Sequence, residues 1–369
     1  MTTATSSLLS PLRFRNGVIA KNRLALAPMT NLQSHADGSL SDDELAWLAM
    51  RARGGFGTIT TCAAHVAKDG QGWPGELGVF DDALVPGLAR VAAMAREHGA
   101  LSIAQIFHGG ARAPSACTGE QPWSASAFVE DSAGFEPPRA GTVADVERVI
   151  GQFRDAAVRC ERAGLDGVEL HGAHGYLLSQ FLSRTFNLRE DAWGGDLVGR
   201  ARLVREVTRA VRGAVSPRFV LGVRISPEDF GNARGLDLDE SLQVARWLVE
   251  DGIDFLHLSL WRSELMTKKR PEAHAVPLFR DVVSPDVPIV VAGNVWTRAD
   301  AEGLLSRGAD AIALGRAAIG NPDWPVHVTD ASWAPKRPPY TVADLRERGL
   351  SPTFAEYMRR WKGFVAEGA

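Results

Sequence analysis

The sequence predicts a (β/α)8 barrel with an N-terminal hairpin, a long loop after the third strand and a C-terminal helical extension. Three observations carry this. Eight apolar runs of strand length recur: Arg23–Pro28, Gly57–Cys62, Leu101–Phe107, Gly167–His171, Phe219–Ser226, Phe255–Leu260, Pro288–Asn294 and Ala311–Arg316. They are continuous rather than alternating, as in a parallel sheet covered on both faces. Helical patterns fill most of the intervals between them. The 369 residues read as one domain, with the hairpin at about 8–22, the barrel at about 23–326 and the extension at about 327–369.

Each element has a local reason. Leu12–Phe14 and Val18–Ile19 flank Asn16-Gly17, a pair that suits a type I′ hairpin turn placed to plug the barrel floor. Strand one ends in Ala27-Pro28-Met29-Thr30. That is not the glycine-rich turn that a doubly wound fold places after its first strand. One GxGxxG does occur, Gly70-Gln-Gly72-Trp-Pro-Gly75, but Pro74 makes it a poor helix start, so it reads as a loop. His108 to Gly141, rich in Gly, Pro, Ala and Ser, reads as a lid or pocket wall. Val146, Ile150, Phe153, Ala157 and Cys160 form one buried helical stripe. Thr142 with Asp145, and Thr297 with Asp300, resemble capping boxes that open two helices; Gly164 and Gly308 close them. Thr341–Glu347 and Pro352–Ala366 read as helices on the outside or over the mouth.

Composition narrows the function classes. The net charge of −3 argues against nucleic acid or an anionic membrane as partner. No apolar stretch reaches the length of a membrane span, and the first seven residues do not read as a signal peptide. Cys62, Cys117 and Cys160 lie far apart, without metal spacing, and their odd number fits a reducing compartment. The expectation is a soluble cytoplasmic protein without an iron–sulfur cluster.

The chemistry concentrates in Gly167-Val-Glu-Leu-His171-Gly-Ala-His174-Gly-Tyr176. Two imidazoles and a phenol follow a strand whose carboxyl end opens into the barrel mouth. They are donors suited to holding a carbonyl oxygen and delivering a proton. Arg224 lies inside an apolar strand and needs an anionic partner, either an acid such as Glu169 or a ligand that carries negative charge. Gln105, also inside a strand, can satisfy a neighbour or read a heterocycle edge. Gly293-Asn294 and Gly315-Arg316 end the last two strands, where barrels often bind phosphate. His108, His171 and His174 also leave open a zinc hydrolase.

Together these residues resemble the Old Yellow Enzyme family of flavin-dependent ene-reductases, from about Leu8 to Trp324. The matching pieces are Asn22–Thr30, Gly54-Gly-Phe-Gly, Ala104–Gly110, Gly167–Leu182, Asn187–Gly195, Val223–Ser226 and Ala311–Arg316. The resemblance implies noncovalent FMN in the barrel mouth, with NADH or NADPH as reductant. It implies that Pro28, Met29 and Thr30 lie against the flavin, with Thr30 on a flavin carbonyl and the Ala63 backbone near N5. Gln105 and Arg224 then face the polar edge of the ring, where a fixed cation favours reduction. Gly293, Asn294, Gly315 and Arg316 surround the phosphate. His171 and His174 hold the substrate carbonyl, Tyr176 is the proton-donor candidate, and Phe107 lines the substrate pocket. The implied substrate is an α,β-unsaturated carbonyl or nitro compound, reduced in a ping-pong cycle.

The chain departs from many bacterial relatives at Thr30, where they place cysteine, and at Leu32, where they place tyrosine; Cys62 replaces a residue that is often polar or acidic. The cysteine-rich extension and second nucleotide domain of the larger dienoyl-CoA reductases are not expected from these residues. A related FMN barrel oxidising an amine or opening a ring, and a flavin-binding sensor, remain alternatives. No motif selects NADH over NADPH, and relatives range from monomers to homo-oligomers.

Overall fold

The computed structural model describes residues 7–131 and 134–367. Most of the N-terminal stretch read above for a leader, two residues of the long loop and the last two of the extension lie outside the described residues.

A small antiparallel ribbon, β1 (Leu12–Arg13) and β2 (Ile19–Ala20), precedes the barrel. The barrel strands are β3 (Leu24–Leu26), β4 (Thr58–His65) and β5 (Leu101–Phe107), then β8 (Gly167–Gly172), β9 (Val220–Ile225), β10 (Phe255–Ser259), β11 (Ile289–Ala292) and β12 (Ala311–Leu314). They pair in parallel and in chain order, and β12 closes the ring on β3. Between them, β6 (Trp123–Ser124) and β7 (Arg139–Ala140) pair inside the long loop after β5. All eight predicted strands are present. β11 and β12 stop short of their predicted ends because Asn294 turns to a φ of 57° and Gly315 caps a helix. β4 runs longer, through a register shift between Thr60 and Ala63 that brings Ala63 opposite Gln105.

The hairpin forms, but its turn is not type I′, which needs two central residues of positive φ. Only Gly17 has one, at 87°. Gly17 N–H donates to Phe14 and Phe14 N–H to Val18, giving a three-residue turn with its glycine at the bulge. The hairpin does seat Leu12, Phe14 and Ala20 against Ile103, Val220, Phe255 and Val290 at the barrel floor. The Phe14 and Phe255 rings meet edge to face, 5.4 Å apart.

Both predicted capping boxes are present, at Thr142–Asp145 and Thr297–Asp300. The stripe on the helix Val143–Arg162 is buried at Val146, Phe153, Ala157 and Cys160 and half-buried at Ile150. The extension forms the helices Val342–Glu347 and Pro352–Tyr357. The second is shorter than predicted, because the chain reverses near Gly363 (φ 76°) and Ala366 N–H bonds back to Tyr340. The extension docks on the segment between β3 and β4: Ser351 N–H donates to Gln33 Oε1 (3.1 Å), and Phe354 packs on Trp47 of the helix Asp42–Arg53. Among the described residues no helix is long and apolar enough to cross a membrane.

Candidate active site

The strand pleat sorts the interior by depth. Residues facing the axis include Phe255 and Val220 at the floor, Glu169 and His257 in the middle, and Gln105, His171, Arg224 and Ser259 towards the mouth. The register sets Gln105 beside Glu169 and His171 beside Arg224, which lies beside His257. Residues more than 150 positions apart are thereby brought into one layer.

The two histidines are wired in one direction. His171 Nδ1 accepts from Ala173 N–H (3.4 Å), so its proton sits on Nε2. That Nε2–H donates to His174 Nδ1 (3.1 Å), and His174 Nε2–H donates to Ser259 Oγ (2.8 Å). Ser259 Oγ also accepts from Arg224 (3.1 Å). Burial pushes both imidazoles well below 6.5, with Arg224 and His257 acting in the same direction, so they stand neutral. His174 holds a φ of 61° and Gly175 one of 74°; a Cβ at Gly175 would strike Asn232 O at 2.4 Å. Strained backbone of this kind collects at working sites.

Tyr176 stands 5.1 Å from the His171 ring and 4.9 Å from Phe107, and its hydroxyl makes no hydrogen bond to the described residues. Burial, and then the charge of Glu76, raise its pKa, so it keeps its proton. Phe107 reaches the site but is fully buried, with Trp73 stacked on it at 5.4 Å. Trp73 is therefore the aromatic nearer the opening. It comes from the Gly70–Gly75 loop, where Glu76 accepts from Gly72 N–H (2.8 Å) and pairs with His65 (3.0 Å). Burial lowers His65 to about 4.

Arg224 makes no ion pair among the described residues, and its Nε is buried without a partner. Glu169 is not its counterion at contact distance. Glu169 takes Gln105 Nε2 and His257 Nδ1 instead, each at 2.7 Å. The guanidinium is thus left for a ligand. At the ends of β11 and β12, Arg316 donates to Asn294 Oδ1 (2.6 Å), which also accepts from Trp296 Nε1 (3.1 Å). Gly293, Asn294, Gly315 and Arg316 thereby share one rim of the mouth. Pro28, Met29 and Thr30 border it on the loop after β3, half-buried, with Thr30 close to Tyr357 of the extension. A cleft of about 330 Å³ opens beside Ser259, lined by Phe230, Trp261, Leu265 and Met266.

His108 does not join the other histidines. Its Nδ1 accepts from Gly110 N–H, its Nε2 faces Asp69 at 3.5 Å, and its ring meets Trp123. The described residues hold no group of three ligating side chains. The zinc-hydrolase arrangement is therefore not built.

Ser259, His257, Trp73 and Tyr357 were not among the residues singled out in the sequence. Only Trp73 had a local signal, as a tryptophan between glycines. The others become visible through register or through docking of the extension.

The residues fit a flat, polar-edged, phosphorylated cofactor: a guanidinium with no ion-pair partner among the described residues, a Gln105 carbonyl with no donor among them, and two glycine-bearing strand ends. Comparisons with known proteins agree. Residues 7–332 match the family model described as NADH:flavin oxidoreductase / NADH oxidase. A probable NADH-dependent flavin oxidoreductase of Bacillus subtilis is 34% identical over 88% of each chain. An NADH:fumarate oxidoreductase of Klebsiella pneumoniae is 35% identical over 88% of this chain, which spans only 36% of that relative. Among solved structures, an old yellow enzyme homologue from Zymomonas mobilis superposes with a TM-score of 0.80 at 28% identity, covering 95% of this chain and 99% of that one. Morphinone reductase does so with a TM-score of 0.79 at 25% identity, covering 94% of each.

Proposed function

The chain belongs to the NADH:flavin oxidoreductase family that includes Old Yellow Enzyme, and from that premise we propose that it reduces the C=C bond of α,β-unsaturated carbonyl or nitro compounds. It is an oxidoreductase that uses FMN and a reduced nicotinamide nucleotide. FMN, when bound, supplies the centre that accepts hydride from NADH or NADPH and delivers it to the β-carbon of the substrate.

The observation that carries the substrate assignment is the neutral His171–His174 pair beside an uncommitted phenol. His171 Nε2–H turns from His174 to the substrate oxygen. His174 offers its Nε2–H once released from Ser259. Both bonds strengthen as charge builds on that oxygen, which lowers the barrier. Tyr176 gives its proton to the α-carbon, with water as the competing donor. Gln105 and Arg224 would hold the polar edge of the cofactor, with the Ala63 backbone and Thr30 against its ring. Gly293, Asn294, Gly315 and Arg316 hold its phosphate. Phe107 supports the pocket through Trp73 and Tyr176. Reductant and substrate use the mouth in turn, because the hairpin fills the other end. The apolar cleft beside Ser259 suits a substrate with a hydrocarbon substituent.

Anaerobic NADH or NADPH should bleach the purified flavoprotein, and enones or nitroalkenes should restore its colour. Reoxidation by none of them, with direct bleaching by an amine, would move the reading to an amine oxidoreductase.

A further inference from the structure

Below the candidate flavin site lies a buried polar pair that this mechanism does not use. Glu169 and His257 project into the barrel from β8 and β10, each about 2% exposed. One carboxylate oxygen accepts Gln105 Nε2–H and the other accepts His257 Nδ1–H, both at 2.7 Å. An ionised carboxylate can only accept, so it dictates the orientation of both neighbours. Gln105 must turn its NH2 to Glu169, leaving its carbonyl with no donor among the described residues. His257 must carry its proton on Nδ1, leaving Nε2 a buried acceptor without a partner. That pair borders a floor cavity of about 20 Å³, also lined by Asn22, Arg23, Thr58 and Thr60, with room for a single water.

Arg224 on the intervening strand is also buried, and carries the opposite charge without pairing to Glu169. Burial works against ionising Glu169, but His257, Arg224 and Gln105 outweigh it and hold its carboxyl below the usual range. Two opposite charges kept apart in a dry core cost more than an apolar filling would. Their separation leaves the cation free for a ligand while its field is partly cancelled from below.

We propose that Glu169, held by His257, is a positioning residue for the flavin: it aims the Gln105 carbonyl at the cofactor and its negative charge keeps the FMN reduction potential lower than Arg224 alone would set. This rests on the FMN reading above. Reduction adds negative charge at the polar edge of the ring; a buried anion opposes that, and its removal favours the reduced form.

The test is the equilibrium potential of the FMN-loaded protein against a reference dye, with the FMN dissociation constant measured on the same samples. Glu169→Gln should shift the reduced-to-oxidised ratio at least tenfold towards reduced, about 30 mV upward for a two-electron couple. Glu169→Asp, which keeps the charge, should return most of that shift. His257→Leu should move the potential the same way, because the carboxylate loses its donor and takes up a proton. Folded, FMN-bound Glu169→Gln and His257→Leu proteins with the wild-type potential would overturn the proposal, as would failure of both variants to fold. Wild-type protein that refuses FMN would instead sink the functional reading.

Discussion

The two ends of the barrel are built from the same strands and differ in what they leave undone. At the floor, Phe14, Leu12, Phe255, Ile103 and Val220 pack on one another. At the mouth, Arg224 Nε is buried without a partner among the described residues, and His174 and Asn294 hold positive φ without being glycine. The floor closes on its own side chains around a cavity no larger than one water, whereas the mouth leaves a cation and a phenol for whatever enters it. Stability and activity should therefore separate along the barrel axis, and substitutions at each end test this.

The largest expected effect is at the floor. Phe14→Ala should cost about 3–5 kcal/mol of unfolding free energy by opening a cavity against Phe255. The surviving folded fraction should keep near-normal hydride-transfer rates. Denaturant unfolding beside stopped-flow kinetics measures both, and a matching loss of rate would break the separation.

Next comes His171→Ala at the mouth. Reoxidation by an enone should slow ~100-fold or more, the usual cost of losing an oxyanion donor. Reduction by NAD(P)H and the unfolding free energy should change far less. Equal slowing of both half-reactions would remove His171 from the substrate-holding role.

A smaller effect marks the helix layer, which belongs to neither end. Thr142→Ala removes a capping box and should cost about 1 kcal/mol, read as a lower denaturant midpoint with unchanged kinetics. The smallest is a flat pH profile. Because His171 and His174 sit well below 6.5, they stay neutral between about pH 6 and 8, and reoxidation should show no inflection there. Protonation enters only on the acid side. An inflection near 6.5 would mean that the imidazoles titrate as if exposed.

What could be read in the sequence follows the range of the interaction that made it. The capping boxes at Thr142 and Thr297, the apolar strands and the His171–Tyr176 turn are each written within about ten residues. Their structures match because local sterics and burial decide them. The hairpin turn was misread because Asn16-Gly17 is a type I′ signal only when the strands are two residues apart, and here the ladder ends at Arg13 and Ile19. The sequence leaves Arg224 either an acid such as Glu169 or a charged ligand as its partner, since Arg224 and Glu169 each break an apolar strand. Register decided against the acid, by giving Glu169 to Gln105 on one side and His257 on the other. Ser259 and Tyr357 carry no local pattern at all. One needs the β9–β10 pairing and the other the folding back of the extension.

The seam of the cylinder has a consequence for biosynthesis. Ile312 pairs with Leu24, so the first stave waits for its neighbour until the chain has left the ribosome past residue 312. Until then β3 and the growing opposite edge both present unpaired backbone, the kind of border on which chains aggregate. The short staves at that join, three residues in β3 and four in β12, keep the exposed border small.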